Sequence, residues 1–217
     1  MSPDRAETTA TGQTGTGQRN SAPFPVKTIV SGGFGVGKTT MIGAVSEIDP
    51  LTTEEQLTVV SAGIDSLAGV EDKTTTTVAM DFGRLTLSDD LILYLFGTPG
   101  QDRYWFTWDD LTYGAVGAVV LIDTRRLPDS FGPVGYFEQR GIPFVVAINE
   151  FADAPHHYTT DEVRDALDIP DRVPIVRCDA RDTRSSITVL LALVDHALTH
   201  PTPPEQPHQP IAQGAST

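Results

Sequence analysis

Short apolar runs, each closed by glycine, proline or aspartate, alternate along this chain with stretches whose apolar residues recur every three or four positions. Val26–Val30, Ala115–Ile122, Pro143–Ile148 and Pro174–Cys178 are mostly continuous apolar runs of strand length, the signature of strands buried on both faces of a parallel sheet. Val78–Leu87 and Leu91–Phe96 flank the turn-forming triplet Ser88-Asp89-Asp90 and predict an antiparallel hairpin. Thr159 with Glu162 forms a capping box for a helix through Leu167, and Ile187, Leu190, Leu191, Val194 and Leu198 recur at helical spacing, which predicts a last helix. Strands alternating with helices specify an α/β architecture: a six-stranded, mainly parallel sheet with helices on both faces.

The pattern fades at both ends. Residues 1–24 are rich in Thr, Gly, Gln and Ser, and residues 201–217 begin with Pro201-Thr202-Pro203-Pro204-Glu205-Gln206-Pro207. Ordering either would cost entropy without compensating burial, so both are expected to be disordered, leaving a folded unit over residues 25–200. Hydrophobic residues at 39% and charged residues at 20% suit a soluble globular chain. The 29 acidic against 15 basic residues give a net charge of -14, which argues against nucleic acid or anionic lipid as a partner. The single cysteine, Cys178, builds neither an intrachain disulfide nor a cysteine zinc site and reads as a strand-end core residue. No apolar run reaches membrane-spanning length, Met1-Ser2-Pro3 lacks the glycine that myristoylation needs, and Gly214-Ala215-Ser216-Thr217 carries no prenylatable cysteine. A cytoplasmic protein is expected, with any membrane contact made through a partner rather than by direct insertion.

The strongest chemical signal is Gly32-Gly33-Phe34-Gly35-Val36-Gly37-Lys38-Thr39, a full P-loop pattern between a predicted strand and a predicted helix. Glycines let successive backbone N–H groups face phosphate oxygens, the helix start adds a favourable dipole, and Lys38 adds a point charge. The expected phosphate-binding residues are Gly33, Phe34, Gly35, Val36, Gly37, Lys38, Thr39 and Thr40. Thr39 is also the expected magnesium ligand.

Three later segments extend the pattern. Leu95-Phe96-Gly97-Thr98-Pro99-Gly100-Gln101-Asp102 resembles the switch II segment of Ras-like small GTPases. That resemblance implies that the Gly100 amide binds the γ-phosphate and that Gln101, the expected catalytic residue, orients the attacking water. Thr77-Val78-Ala79-Met80-Asp81-Phe82 resembles the switch I threonine and its strand, so Thr77 joins Thr39 as an expected magnesium ligand. Phe144-Val145-Val146-Ala147-Ile148-Asn149 matches the start of the guanine-specificity motif. The match then falters: Glu150, Phe151 and Ala152 follow, with an aspartate only at Asp153. Either a one-residue bulge brings Asp153 to the base beside Asn149, or guanine selection is weakened. Asp179-Ala180-Arg181 resembles the last base-contact loop, with Ala180 contributing its amide.

Taken together, residues 26–199 resemble the conservon-type ATP/GTP-binding proteins of actinobacteria, related to the MglA-like gliding-motility GTPases. Lys73–Gly83, Leu95–Arg103 and Asp123-Thr124-Arg125-Arg126 carry that likeness. It implies a Ras-like P-loop NTPase fold and a small GTPase that binds GTP or GDP with Mg2+ and switches signalling by hydrolysis. The implied partners are a roadblock-fold protein and a sensor histidine kinase complex. Two departures matter. Gly97 stands where Ras-type proteins place a magnesium-linked aspartate. The stretch Glu47–Asp72 is long for a switch I connection, and its Leu57-Thr58-Val59-Val60 either adds a strand or packs over the site. The faltering base motif motivates one alternative, an ATP-using regulatory NTPase, and Gly97 motivates another, a non-hydrolysing scaffold with structural nucleotide. Tyr104, Trp105, Phe106 and Trp108 read equally as core or as a partner face. His156-His157 reads as a solvated loop, and Arg103, Arg125 and Arg126 read as ion-pairing groups.

Overall fold

The computed structural model of the protein describes residues 22–59, 74–100, 107–152 and 154–201. Most of the expected terminal arm and tail, along with Gln101, Asp153 and the aromatic residues 104–106, lies outside the described residues. Strand β1 (Phe24–Gly32) passes through a glycine-rich loop into helix α1 (Lys38–Val45). Strands β2 (Leu51–Val59), β3 (Thr74–Ser88) and β4 (Leu91–Gly97) follow, then α2 (Trp108–Thr112), β5 (Ala115–Ile122) and a 3-10 stretch over Thr124–Ser130. Helix α3 (Phe131–Arg140), β6 (Phe144–Asn149), α4 (Thr160–Leu167), β7 (Ile175–Cys178) and α5 (Thr183–Thr199) complete the described chain.

The strands form one sheet in the order β2-β3-β4-β1-β5-β6-β7. Pairings from β4 through β1, β5 and β6 to β7 are parallel, whereas β3 runs antiparallel to both β2 and β4. All six expected strands are present, including the β3–β4 hairpin, but the sheet has seven. The addition is β2, so the long connection after α1 supplies an extra strand. It pairs with β3 from Leu51↔Phe82 to Val59↔Thr74. Its sequence, LTTEEQLTV, is mostly polar, because an edge strand needs no continuous apolar run and charge there discourages further pairing.

Alternating residues of the central strands feed two cores. Val119 and Leu121 pack with Met41, Ile42, Leu190 and Leu193 of α1 and α5, while Val120 and Ile122 pack with Val134 and Phe137 of α3 and Val163 and Leu167 of α4. Coverage on both faces is why β5 reads as an unbroken apolar run. Trp108 belongs to the second core, fully buried and edge-on to Tyr136 at 5.0 Å. Cys178 is buried in the first.

Helix α4 carries the expected capping box, with Thr159 and Glu162 exchanging side-chain and backbone bonds. Helix α5 departs from expectation. Its buried face is Ser186, Val189, Leu190, Leu193 and His196, while Leu191 and Leu198 are exposed, Leu198 at 78%. The apolar residues of this helix exceed the width of its contact with the sheet, so spacing alone marks the helix without fixing its rotation. Val194, Ala197 and Leu198 instead border a groove of about 910 Å³ at the end of the sheet where β1, β4 and β5 begin. The opposite end, where the parallel strands finish at Gly32, Gly97, Ile122, Asn149 and Cys178, is where open α/β sheets bind ligands. The place is the point at which strand order reverses, here around β1.

The rotation of α5 is testable. Leu190→Ala should lower unfolding free energy by about 2–5 kcal/mol, and Leu198→Ala should stay within about 0.5 kcal/mol of the parent, both measured by urea titration.

Candidate nucleotide site

The loop between β1 and α1 is shaped by close approach. Gly32 sits at φ 139°, and a Cβ there would lie 2.3 Å from the Leu121 carbonyl oxygen; Gly37, at φ 108°, would place one 2.7 Å from Asn149 Nδ2. No L side chain fits either position. Gly37 is also the N-cap of α1 and supplies no side-chain bond, and the first helical turn holds no acidic residue. By contrast, Thr159 caps α4, Asp182 caps α5 and Asp123 caps the 3-10 stretch. An uncapped helix start with its dipole intact is a ready anion site. Lys38 opens the helix and is buried, with Nζ donating to the carbonyls of Gly32 at 2.9 Å and Gly33 at 2.8 Å. Burial lowers its pKa to about 8, against the opposing pull of the Asp81 charge. Thr39 and Thr40 follow on the exposed side of the first turn, Phe34 and Gly35 are exposed, and Val36 is anchored in the core.

Asn149 joins three loops at once. It is 6% exposed at the end of β6, donates from Nδ2 to the Val36 carbonyl at 2.9 Å, and accepts at Oδ1 from the Ala180 amide at 3.0 Å. The loop after β7 is thereby tied to the glycine-rich loop. Within it, side-chain and backbone hydrogen bonds from Arg181 hold the Asp179 carboxyl down at about 2. Glu150, next to Asn149, is engaged by Arg177, whose Nε donates to Oε1 at 2.7 Å.

The β4 edge closes the site. Thr98 is buried, its amide donating to the Val30 carbonyl at 3.0 Å and its hydroxyl to Ser31 Oγ at 3.1 Å. This pins the start of the Gly97–Gly100 segment to β1. Gly100 then lies so close to the loop that a Cβ would be 2.6 Å from Lys38 Nζ. Asp81, from β3, accepts a 2.5 Å hydrogen bond from the Thr39 hydroxyl at Oδ2. From the other side Arg126 donates to the Phe34 carbonyl at 2.7 Å and pairs with Asp123 and Asp129. Burial pushes the Asp123 carboxyl up, but hydrogen bonds from Arg125 and the charges of Arg125 and Arg126 outweigh it and leave it below its ordinary value.

Gly33, Phe34, Gly35, Val36, Gly37, Lys38, Thr39, Thr40, Gly100, Asn149 and Ala180 are therefore gathered at one end of the sheet. Thr77 lies in β3 opposite Gln56, and Gln101 and Asp153 lie outside the described residues. Arg125 pairs with Asp123 and stacks 3.7 Å over Phe151, while His156 and His157 are exposed. Ser31, Thr98 and Asp81 are site residues that motif reading did not single out, and Arg126, read as an ion-pairing group, pairs as expected and also reaches the loop. For Asp81 the signal was present, because it lies four residues after Thr77, but only strand register brings it to Thr39.

A glycine-rich loop running from a central strand into an uncapped helix, with a buried lysine and a carboxamide tie from a neighbouring strand, defines a P-loop nucleotide-binding protein. The fold is similar to that of the cytosolic domain of the T. maritima FeoB iron transporter in a GDP form. The TM-score is 0.59 at 15% identity, covering 82% of this chain and 65% of that one, a likeness of fold. The chain belongs to the family of conserved hypothetical ATP-binding proteins, whose model matches residues 30–200. It is also 33% identical over 127 residues to the uncharacterized protein MJ1339 of Methanocaldococcus jannaschii, covering 58% of this chain and 70% of that protein. Among the described residues no helix is long and apolar enough to cross a membrane.

Removing the carboxamide tie orphans two buried backbone groups. Asn149→Ala should cost about 1–3 kcal/mol of stability, read by thermal unfolding. It should also speed alkylation at pH 8 of Cys178, whose thiol burial pushes up to about 12, because the adjacent loop opens more often.

Proposed function

We propose that this protein is a slow GTPase that acts as a nucleotide-dependent switch. The observation that carries the reading is the juxtaposition of Gly100 with Lys38 Nζ. The segment that begins the second switch rests directly on the lysine, where a terminal phosphate would contact both. In this reading Lys38 exchanges its two carbonyl partners for phosphate oxygens, and the amides of Gly33–Thr39 and the head of α1 hold the rest of the polyphosphate. Oxygen donors suit magnesium, and the exposed Thr39 hydroxyl beside Lys38 fits that chemistry, with Thr77 completing it. When bound, the ion neutralises charge on the phosphates during transfer. Gly100 follows the terminal phosphate, and Gln101 orients water. Asn149 holds the base-side loops in place, and Asp153 with the Ala180 loop selects guanine.

The GDP form of the FeoB domain and the resemblance to conservon-type and MglA-like proteins support guanine and a switching role. That resemblance also supports a roadblock-fold partner that reads or accelerates the switch within a sensor-kinase complex. Three observations favour an adenine reading: Glu150 is committed to Arg177, the motif lacks an aspartate at Ala152, and the family is described as ATP-binding.

The deciding experiment is to denature the purified protein, identify the released nucleotide, and follow single-turnover hydrolysis. Guanine nucleotide and measurable GTP cleavage are expected. Adenine nucleotide would install the second reading, and no cleavage with or without partner would leave a scaffold. Lys38→Ala should weaken binding of labelled GDP at least about 30-fold, since a buried charge partner is worth about 2 kcal/mol or more. Gln101→Leu should bind normally yet hydrolyse at least about tenfold more slowly, a loss confined to the transition state.

A further inference from the structure

Both ends of the described chain meet at one place. The groove of about 910 Å³ at the end of the sheet opposite the nucleotide site is lined by Phe24, where β1 begins, and by Pro201, just past the end of α5. Phe24, Tyr113 and Leu198, which share that lining, are exposed to 69%, 66% and 78%. Three large apolar side chains turned to solvent around one groove form the kind of patch that marks a docking surface. The basic residue of the lining, Arg140, is paired with Asp109 and stacked 4.0 Å from the Tyr136 ring. The groove's cation is thus already satisfied, and the occupant it suits is apolar and weakly charged.

Helix α5 stops because Pro201 has no N–H to continue it and disfavours helical geometry in His200, which stands at φ -132° and ψ 68°. The chain then runs Pro201-Thr202-Pro203-Pro204-Glu205-Gln206-Pro207-His208-Gln209-Pro210, of which residues 202–210 lie outside the described residues. Proline falls at 201, 204, 207 and 210, every third position. A polyproline II helix has three residues per turn, so in that conformation these four prolines make one apolar stripe and Pro203 falls off it. Nine steps of about 3.1 Å carry the stripe about 28 Å, close to the diameter of a small domain. Glu205 is the only acidic residue from 202 to 210, with no lysine or arginine beside it. Residues 1–21 also lead to the groove, through Phe24, but they hold one proline, Pro3, and no such repeat.

We propose that residues 202–210 fold back over this groove as a polyproline II segment, laying Pro204, Pro207 and Pro210 on its apolar wall. Pro201 already stands there and starts the stripe. The conformation needs no backbone hydrogen bonds from the groove and is set in advance by the proline rings, so little entropy is lost on docking. Composition alone leaves the segment without burial, and the groove supplies it. A segment tethered at Pro201 is present at an effective concentration on the order of millimolar, so even a weak contact is well occupied. The groove is thereby a docking site for a proline-rich peptide, filled by the chain's own segment, and an apolar patch is kept from other molecules. None of this depends on the nucleotide reading, because groove and phosphate loop lie at opposite ends of the sheet.

The test is made on the full chain. Burial pushes the Cys178 thiol up to about 12, so a nitroxide attached at neutral pH goes to a cysteine introduced by Gln209→Cys, one position off the stripe. The chain is isotope-labelled and diluted with unlabelled copies. Methyl signals of Ala115 and Ile142, which pack with the second core on the face away from α5, should broaden. Pro204→Ser with Pro207→Ser and Pro210→Ser should lower the docking constant at least about tenfold, since each ring buries more than one CH2 group, and the broadening should fall with it. Pro203→Ser should leave the broadening in place. Tyr113→Ser should release the segment from the groove side, because it strips an exposed ring while the backbone bonds to Asp109 and Lys27 remain.

Equal broadening in the parent and the triple variant overturns the proposal, as does a loss with Pro203→Ser as large as with the triple change. Broadening that appears only when spin-labelled chain is mixed with isotope-labelled chain carrying no nitroxide gives the groove to a second copy, and that also overturns it.

Discussion

The site depends on one buried carboxamide. Asn149 stands at the end of β6 with its amide nitrogen on the Val36 carbonyl and its oxygen on the Ala180 amide, so three loops that share no sequence proximity are fixed to each other by a single side chain. Asparagine suits this because one planar group carries a donor and an acceptor pointing apart. A carboxylate would present acceptors to both partners and leave the Val36 carbonyl unpaired. The close fit of Gly37 against the same carboxamide, with no room for a Cβ, makes the contact mutual: the glycine permits the approach and the asparagine holds it.

Around that tie the electrostatics are divided between the whole molecule and the site. A chain of net charge -14 repels anions at long range, yet the loop concentrates positive potential where it matters. Lys38 is desolvated enough to sit near pKa 8, α1 starts uncapped with no acidic residue in its own first turn, and Arg126 reaches the loop backbone from the opposite wall. In a low-dielectric pocket such groups act more strongly than surface charges screened by salt. Side chains cap α4, α5 and the 3-10 stretch, whereas α1 starts bare at a glycine, as α2 and α3 start without a side-chain bond.

The sheet explains why the site lies where it does. Five parallel strands deliver their ends to one edge, and β1 sits where the order turns from β4 to β5. The antiparallel pair β2–β3 extends the other flank and brings β3 past the site in the reverse direction. That reversal lets a residue in the middle of β3, Asp81, reach Thr39 at the head of α1. The groove at the far end, bordered by Leu91, Ala115 and Leu198, has its charged residues Asp109 and Arg140 paired with each other and no glycine-rich loop beside them.

Much of this was legible along the chain, for identifiable reasons. Strands buried on both faces must be apolar throughout, so Ala115–Ile122 declared its own limits. The phosphate loop is local, eight residues whose glycines and lysine carry their chemistry wherever the strand and helix stand, and the capping box of α4 spans only Thr159 to Glu162. Properties that depend on distant partners were not legible. The polar strand β2 has meaning only once β3 lies beside it, and the buried face of α5 was set by the sheet beneath it rather than by the helix's own apolar spacing. Asp81 and Thr39, 42 positions apart, became one feature only through the placing of β3. The sequence by itself determined the phosphate-loop pattern, because that pattern is contained in one turn. The tertiary structure alone decided which carboxylate, carbonyl and amide stand around it, because those contacts are made between strands whose neighbours no local pattern specifies.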